Sequence, residues 1–338
     1  MILILGGPHF ATLEVEIYRQ AVHLFNLPMA AALSVIQIVF TFALMWVYTA
    51  LQRRVAVDLM PESSVSALRR VVTCRDRVMV GGNTALMILL LGLPMLALVF
   101  RSFAGDNGLS LIFYRALFEN PTQSVFFVPP MQAVIYSVGF ACVTLVLAVL
   151  LGLPAASFLA APKRRLGALL DPVFMLPLST SAVTLGFGFI IALDRPPLNL
   201  RTSLMLVPLA HTLVAFPFVV RSILPALRSI PRSLREAAVL LGASPFKVWQ
   251  TVDMPIVGRA VLVGAVFAFT VSLGEFGATV FVARPQTPTM PLAIYRFLGQ
   301  PGAMNYGQAM AMSSILMMVT AVGFLLLEKM RIGHMGEF

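Results

Sequence analysis

Residues 235–255 read REAAVLLGASPFKVWQTVDMP, and this stretch decides the fold. It is an amphipathic polar island between two apolar runs, roughly 203–220 and 260–282. Each run is near the ~20 residues that cross a hydrocarbon core, so the island must lie at a membrane face. Leu234, Arg235, Glu236, Ala237, Ala238, Leu240 and Leu241 are good helix formers and predict a short helix over 231–241. Gly242 then stands where a C′ residue with positive φ ends a helix. Ser244 reads as the N-cap, and Pro245 as the first residue, of a second short helix. Two short helices hinged at a glycine would make a rigid protrusion that another protein can grip.

The spacing is specific as well as helical. Glu236-Ala237-Ala238 is followed after three residues by Gly242, and after nine more by Val252, one residue, then Met254-Pro255. This resembles the EAA loop of binding-protein-dependent ABC importer permeases (type I, MetI-like), with Met254 in place of the usual Leu. The resemblance implies an all-α polytopic membrane helical bundle whose loop docks an ABC ATPase subunit dimer. Glu236 would make a polar contact or anchor the loop, and Gly242 would set the turn. Phe246 and Trp249 would be apolar contacts, with Ala237, Ala238 and Pro255 completing the motif. Packing of these side chains within the permease is an equal alternative.

Composition agrees with a membrane protein. The chain has 338 residues, 59% hydrophobic and 11% charged, against roughly 45–50% and about 25% in soluble domains. The net charge of +10 does not form a nucleic-acid stripe, because the basic residues are scattered between apolar spans with little aromatic interleaving. Cys74 and Cys142 offer neither a disulfide framework nor zinc spacing. No G-x-x-x-x-G-K-[ST] loop occurs, and Lys163, Lys247 and Lys329 are isolated, so the chain is not expected to hydrolyse ATP. No paired carboxylates, nucleophile elbow or metal cluster points to catalysis or to a cofactor.

Seven spans are expected, at about 29–51, 79–100, 133–158, 169–193, 203–220, 260–282 and 306–327. Seventeen of the Lys and Arg residues fall in one alternating set of connections, which includes 231–255, and seven in the other. The basic set is expected to be cytoplasmic, which puts the N-terminus outside and the C-terminus inside. The long external loop 101–130 is a candidate contact for an external solute-binding protein, with a mobile surface loop the more frequent reading.

An internal echo appears at an offset of 277 residues. Pro8, Thr12, Ile17-Tyr18-Arg19 and Ala32 align with Pro285, Thr289, Ile294-Tyr295-Arg296 and Ala309, and an apolar span follows each set. Residues 1–51 therefore read as the tail of a preceding permease half, and 52–77 as a cytoplasmic linker. Residues 78–130 are the first span and external loop of the next half. The type-1 core with its EAA-like loop follows at 131–328, and 329–338 is a cytoplasmic tail. This layout resembles the fused two-half ferric-iron and thiamine permeases. Only one span of the first half is present, so a second permease half, fused or separate, is an expected partner.

Glu275, in Ser272-Leu-Gly-Glu-Phe-Gly-Ala-Thr279, is expected within the outer membrane region, where an ionisable group is costly and faces a cavity or a partner. The segment is similar to the S-L-G-E-F-G stretch of the iron, thiamine and oxyanion permeases. Gly274, Glu275 and Gly277 are the candidate pathway or gate, with a structural hydrogen bond or ion pair for Glu275 equally open. His211 reads as an interhelical donor, and Ser179, Thr180, Ser181 and Thr184 as packing groups. Asp171, beside Pro172, reads as a helix cap near the cytoplasmic surface.

The expected function is a permease subunit of an ATP-driven importer in the bacterial inner (plasma) membrane, taking a solute from an external binding protein. Ferric iron or thiamine is the first substrate reading, and an oxyanion such as sulfate or molybdate the alternative. A secondary transporter and a non-transporting membrane scaffold are the rivals from other classes.

Overall fold

The computed structural model describes residues 12–55, 73–105, 108–119, 128–161, 165–193 and 199–333. Most of the 52–77 linker, part of the 101–130 loop, Pro8 of the echo and the end of the 329–338 tail lie outside the described residues.

The described chain is almost wholly helical. A short helix α1 (Leu13–Tyr18), prolonged by a π-turn over Arg19–His23, leads into α2 (Leu27–Val55). Then come α3 (Cys74–Phe103), a two-residue β-ladder pairing Ala104–Gly105 with Gly108–Leu109, and α4 (Ile112–Ala116). Next are α5 (Gln132–Ala160), α6 (Arg165–Ser179), α7 (Ala182–Leu193) and α8 (Leu206–Ser229). The 231–255 region holds α9 (Arg232–Leu240) and α10 (Pro245–Val248), followed by α11 (Met254–Gly274). The chain closes with α12 (Thr279–Val282), α13 (Met290–Leu298) and α14 (Ala303–Gly333).

The core is the triple α5, α8 and α11. Val219 of α8 sits between two glycines: a Cβ on Gly152 would lie 2.6 Å from it, and one on Gly264 3.2 Å. Without side chains at these positions three long helices approach closely, the usual device where lipid supplies no hydrophobic drive. Ala148, Ala156, Met175, Ile223, Val257 and Ala268 complete this cluster.

Contacts along these helices fix their directions. Thr144, Gly152 and Leu159 of α5 meet Pro208, Val219 and Arg228 of α8 in the same order, so the two helices are parallel. Gly264 and Ser272 of α11 meet Val219 and His211, so α11 runs antiparallel to both. The loop 231–255 therefore lies at one face, here the near face, with the ends of α5 and α8. The turn after Gly274 lies at the opposite, far face.

Because α5 ends near and α8 begins far, α6 and α7 together must carry the chain across once. The expected single span 169–193 is corrected: it breaks near 179–181, and the two pieces are bent by 105°. Ser181 Oγ accepts from Val183 N at the break, a cap that starts a new helix. Among the described residues, six helices are long and apolar enough to span, or seven with this pair. The expected span 260–282 is also corrected. Helix α11 stops at Gly274, because Glu275 is extended at φ −72° and ψ 122°.

Candidate functional site

At the near face the local cap signals act as the sequence predicts. Helix α9 ends at Leu240, Gly242 has φ +83°, and Ser244 Oγ accepts from Lys247 N at 3.4 Å, with Pro245 as the first helical residue. One expectation is corrected. The second short helix is not a separate stub, because α10 runs on through a π-turn at Trp249–Asp253 into α11. The protrusion is α9 folded back on the end of a spanning helix.

Arg235 holds it there. Its Nε donates to Asp253 Oδ1 at 2.7 Å, tying α9 to the π-turn. Sequence reading did not pair these two, although both lie inside the motif and carry opposite charge. The outer surface is apolar. Leu240 and Leu241 are 88% and 89% exposed, Phe246 is 70% exposed, and its ring stacks on Trp249 with centroids 6.0 Å apart. Glu236 and Ala237 are exposed beside them, and Ala238 is half-buried. Phe246 is thus not packed into the bundle. Leu240 and Leu241 join Phe246 and Trp249 on this surface, and their position next to the C-cap glycine is the sequence signal for them.

At the far face Glu275, 9% exposed, forms a turn. Its Oε1 accepts from Ala278 N at 2.8 Å, and Thr279 Oγ1 donates to its carbonyl at 3.0 Å. The break thus finds partners for its own backbone, as irregular chain at membrane depth requires. Gly274 ends α11 with open space at its Cβ position, whereas a Cβ on Gly277 would lie 3.0 Å from that of Ala182. Gly186 of α7 packs on the same turn, with space for its missing Cβ only 2.7 Å from Ala278 Cα.

Beside the turn, His211 is fully enclosed. Its Nδ1 bonds Ser272 Oγ at 2.8 Å and its Nε2 bonds Thr279 Oγ1 at 2.7 Å, while Ser272 Oγ reaches Thr144 Oγ1 at 3.3 Å. The histidine ties α5, α8, α11 and α12 together, as an interhelical donor should. Thr184 Oγ1 donates to Gln37 Oε1 at 2.6 Å and so ties α7 to α2.

The N-terminal elements also reach this face. Tyr18 makes an edge contact with Phe281, centroids 5.7 Å apart, and Tyr295 packs on Phe276 at 5.1 Å. Burial, with the neighbouring Tyr295 second, pushes the Tyr18 phenol well above its ordinary pKa.

Residues 148–329 match the profile of the binding-protein-dependent transport system inner membrane component. The chain belongs to this family. The permease is 36% identical over 204 residues to the molybdenum transport system permease protein ModB of Mycobacterium bovis, covering 56% of this chain and 75% of that one. It is 33% identical to the ModB of Escherichia coli K12 over 205 residues, 55% of this chain and 88% of the other. A putative 2-aminoethylphosphonate transport system permease protein, PhnV, of Salmonella paratyphi A is 28% identical over 160 residues, 47% of this chain and 59% of that protein. Among solved structures, a bacterial ABC transporter involved in the import of the acidic polysaccharide alginate superposes with a TM-score of 0.59 at 17% identity, over 76% of this chain and 96% of the other. That likeness establishes the fold. These relatives are named for molybdenum and 2-aminoethylphosphonate transport, and none of them for ferric iron or thiamine.

Proposed function

We propose that this permease forms, with a second permease half, the pathway of an ATP-driven importer for a small oxyanion of the molybdate or phosphonate kind. The observation that carries the reading is the loop 231–255. It holds the full motif spacing on a hairpin pinned by Arg235 and Asp253, and presents Leu240, Leu241 and Phe246 to a partner. An ATPase subunit docks on this surface from the cytoplasm, and a binding protein delivers the solute at the far face. The near-face connections hold the basic residues of the larger set, which supports a cytoplasmic near face. The N-terminus is then outside and the C-terminus inside. Glu275, between Gly274 and Gly277, shapes the pathway wall by holding the turn that ends α11.

The test is uptake in vesicles containing the permease, its ATPase and its binding protein. Radiolabelled molybdate and 2-aminoethylphosphonate are compared with ferric iron and thiamine. ATP-dependent accumulation of an oxyanion alone is expected. Uptake of iron or thiamine instead would restore the other substrate class, and uptake driven by an ion gradient without ATP would make the chain a secondary transporter.

A further inference from the structure

Helix α3 is nearly bare. Of its 30 residues only Ser102 is buried, although the helix is long and apolar enough to span. In a membrane permease such a face meets lipid tails, and over its last two turns it is shaped to hold one of them. Ser102 Oγ and Tyr114 OH share a hydrogen bond at 2.7 Å, and the Phe103 and Tyr114 rings pack with centroids 5.0 Å apart, so α4 is held against the end of α3. The two-residue ladder folds back at the same place, where Ser110 N donates to Phe103 O at 2.7 Å. Between α3, the ladder and α4 lies a wedge of about 960 Å³, the size of an ordinary ligand site.

The depth of this wedge is fixed by the chain that follows it. Leu117 O accepts from Met131 N at 3.0 Å, beside the start of α5, so the wedge sits at the far end of the bundle. Its floor runs from Leu96 through Phe100 to Phe103, about 10 Å along the helix. Leu109 and Ile112 form the opposite wall. Leu96, Phe100, Leu109 and Ile112 are all exposed in the chain, a continuous apolar surface that marks a binding site.

Two polar side chains line the same wedge, Ser110 and Arg115. Among the described residues the Arg115 guanidinium has neither an ion pair nor a side-chain hydrogen bond. Ser110 Oγ accepts from Ile112 N at 3.2 Å, which leaves its own proton to donate. A guanidinium fork beside a hydroxyl matches the oxygens of a phosphate, and the apolar floor matches a hydrocarbon chain attached to it. The lone cation also selects among lipids. A zwitterionic head brings its own ammonium toward Arg115, whereas an anionic head brings none.

We infer that the wedge is a site for one anionic phospholipid of the leaflet at the far face. Arg115 and Ser110 hold its phosphate, and one acyl chain lies along Leu96 to Phe103. The bound lipid fills the gap between α3 and α4 that the protein's own side chains leave open.

The full chain, delipidated in detergent, is titrated with phosphatidylglycerol and separately with phosphatidylcholine, and bound lipid is counted by native mass spectrometry. One phosphatidylglycerol per chain is expected to bind in preference to phosphatidylcholine; equal binding of the two overturns the anionic site. Arg115→Gln changes an exposed residue, so the unfolding temperature in lipid-free detergent should not move, while phosphatidylglycerol binding should weaken about tenfold. Val99→Trp fills the wedge without touching the charge and should exclude the same lipid. Binding undiminished in either variant overturns the proposal. Displacement of the lipid by inorganic phosphate would make the wedge a free-anion site, and loss of the lipid on assembly of the complete importer would make it a protein interface; each result overturns the lipid site.

Discussion

Gly186 and Gly188 are two residues apart on α7, yet only one is in contact. A Cβ at 186 would meet Ala278 backbone, while nothing lies within 4 Å of that position at 188. Gly186→Ala is expected to cost about 1–3 kcal/mol by overpacking, and Gly188→Ala to be neutral; thermal unfolding of the detergent-solubilised permease separates them. Gly242 differs in kind, because its φ of +83° rather than its neighbours excludes a side chain. Gly242→Ala should add about 1–2 kcal/mol of local strain and misalign α9, read as reduced co-purification of the ATPase with an intact bundle. His211→Ala removes the bridge between the Ser272 and Thr279 hydroxyls, which keep Thr144 Oγ1 and the Glu275 carbonyl as partners, and is expected to cost about 0.5–1.5 kcal/mol for each bond lost, read by thermal unfolding. For Glu275, the bond to Ala278 N needs an acceptor but no charge. Glu275→Gln should therefore preserve assembly, and a loss of uptake in that variant would show that the charge itself serves transport.

At the scale of elements, the near-face hairpin is a docking surface more than a packing one. Leu240→Asp with Leu241→Asp should leave the unfolding temperature of the permease nearly unchanged, since both side chains are already in solvent. The same pair should abolish ATPase binding in a pull-down. The Arg235–Asp253 pair is half-exposed, so its loss is expected to cost only about 0–1 kcal/mol of stability while loosening the hairpin. Much of this element was legible in the sequence, because caps are local: Gly242, Ser244 and Pro245 each act on their own turn. Three other features were hidden by continuous hydropathy. The break between α6 and α7 falls inside an apolar stretch, marked by Pro177 and Ser179-Thr180-Ser181 alone. The end of α11 is marked only by Gly274 and Gly277. The π-turn at Trp249–Asp253 leaves no compositional trace at all, and it converts an expected stub into the end of a span. His211 was read as an interhelical donor, but which hydroxyls it joins depends on helix directions that no local pattern encodes.

At the scale of the whole molecule, the parallel course of α5 and α8 fixes which connections share a face, and these coincide with the two sets of basic residues counted from the sequence. Cys74, at the near end of α3, and Cys142, on the outer side of α5, are both exposed in the isolated chain. A membrane-impermeant maleimide is expected to label Cys74 only when the cytoplasmic side is opened, and to leave Cys142 unlabelled because lipid covers it. Labelling of Cys74 from outside would reverse the orientation. The echo at 277 residues is legible in the sequence, but the packing of Tyr18 on Phe281 and of Tyr295 on Phe276 required three dimensions, since sequence similarity says that two segments are alike and not what they touch. Finally, the unbroken run from Pro245 to Gly274 has a mechanical consequence. Thirty residues of helix make a strut about 45 Å long. A tilt of about 5° imposed where Phe246 is grasped would sweep the Glu275 end by about 4 Å, enough to carry the far turn clear of α7 with no intervening joint to absorb the stroke.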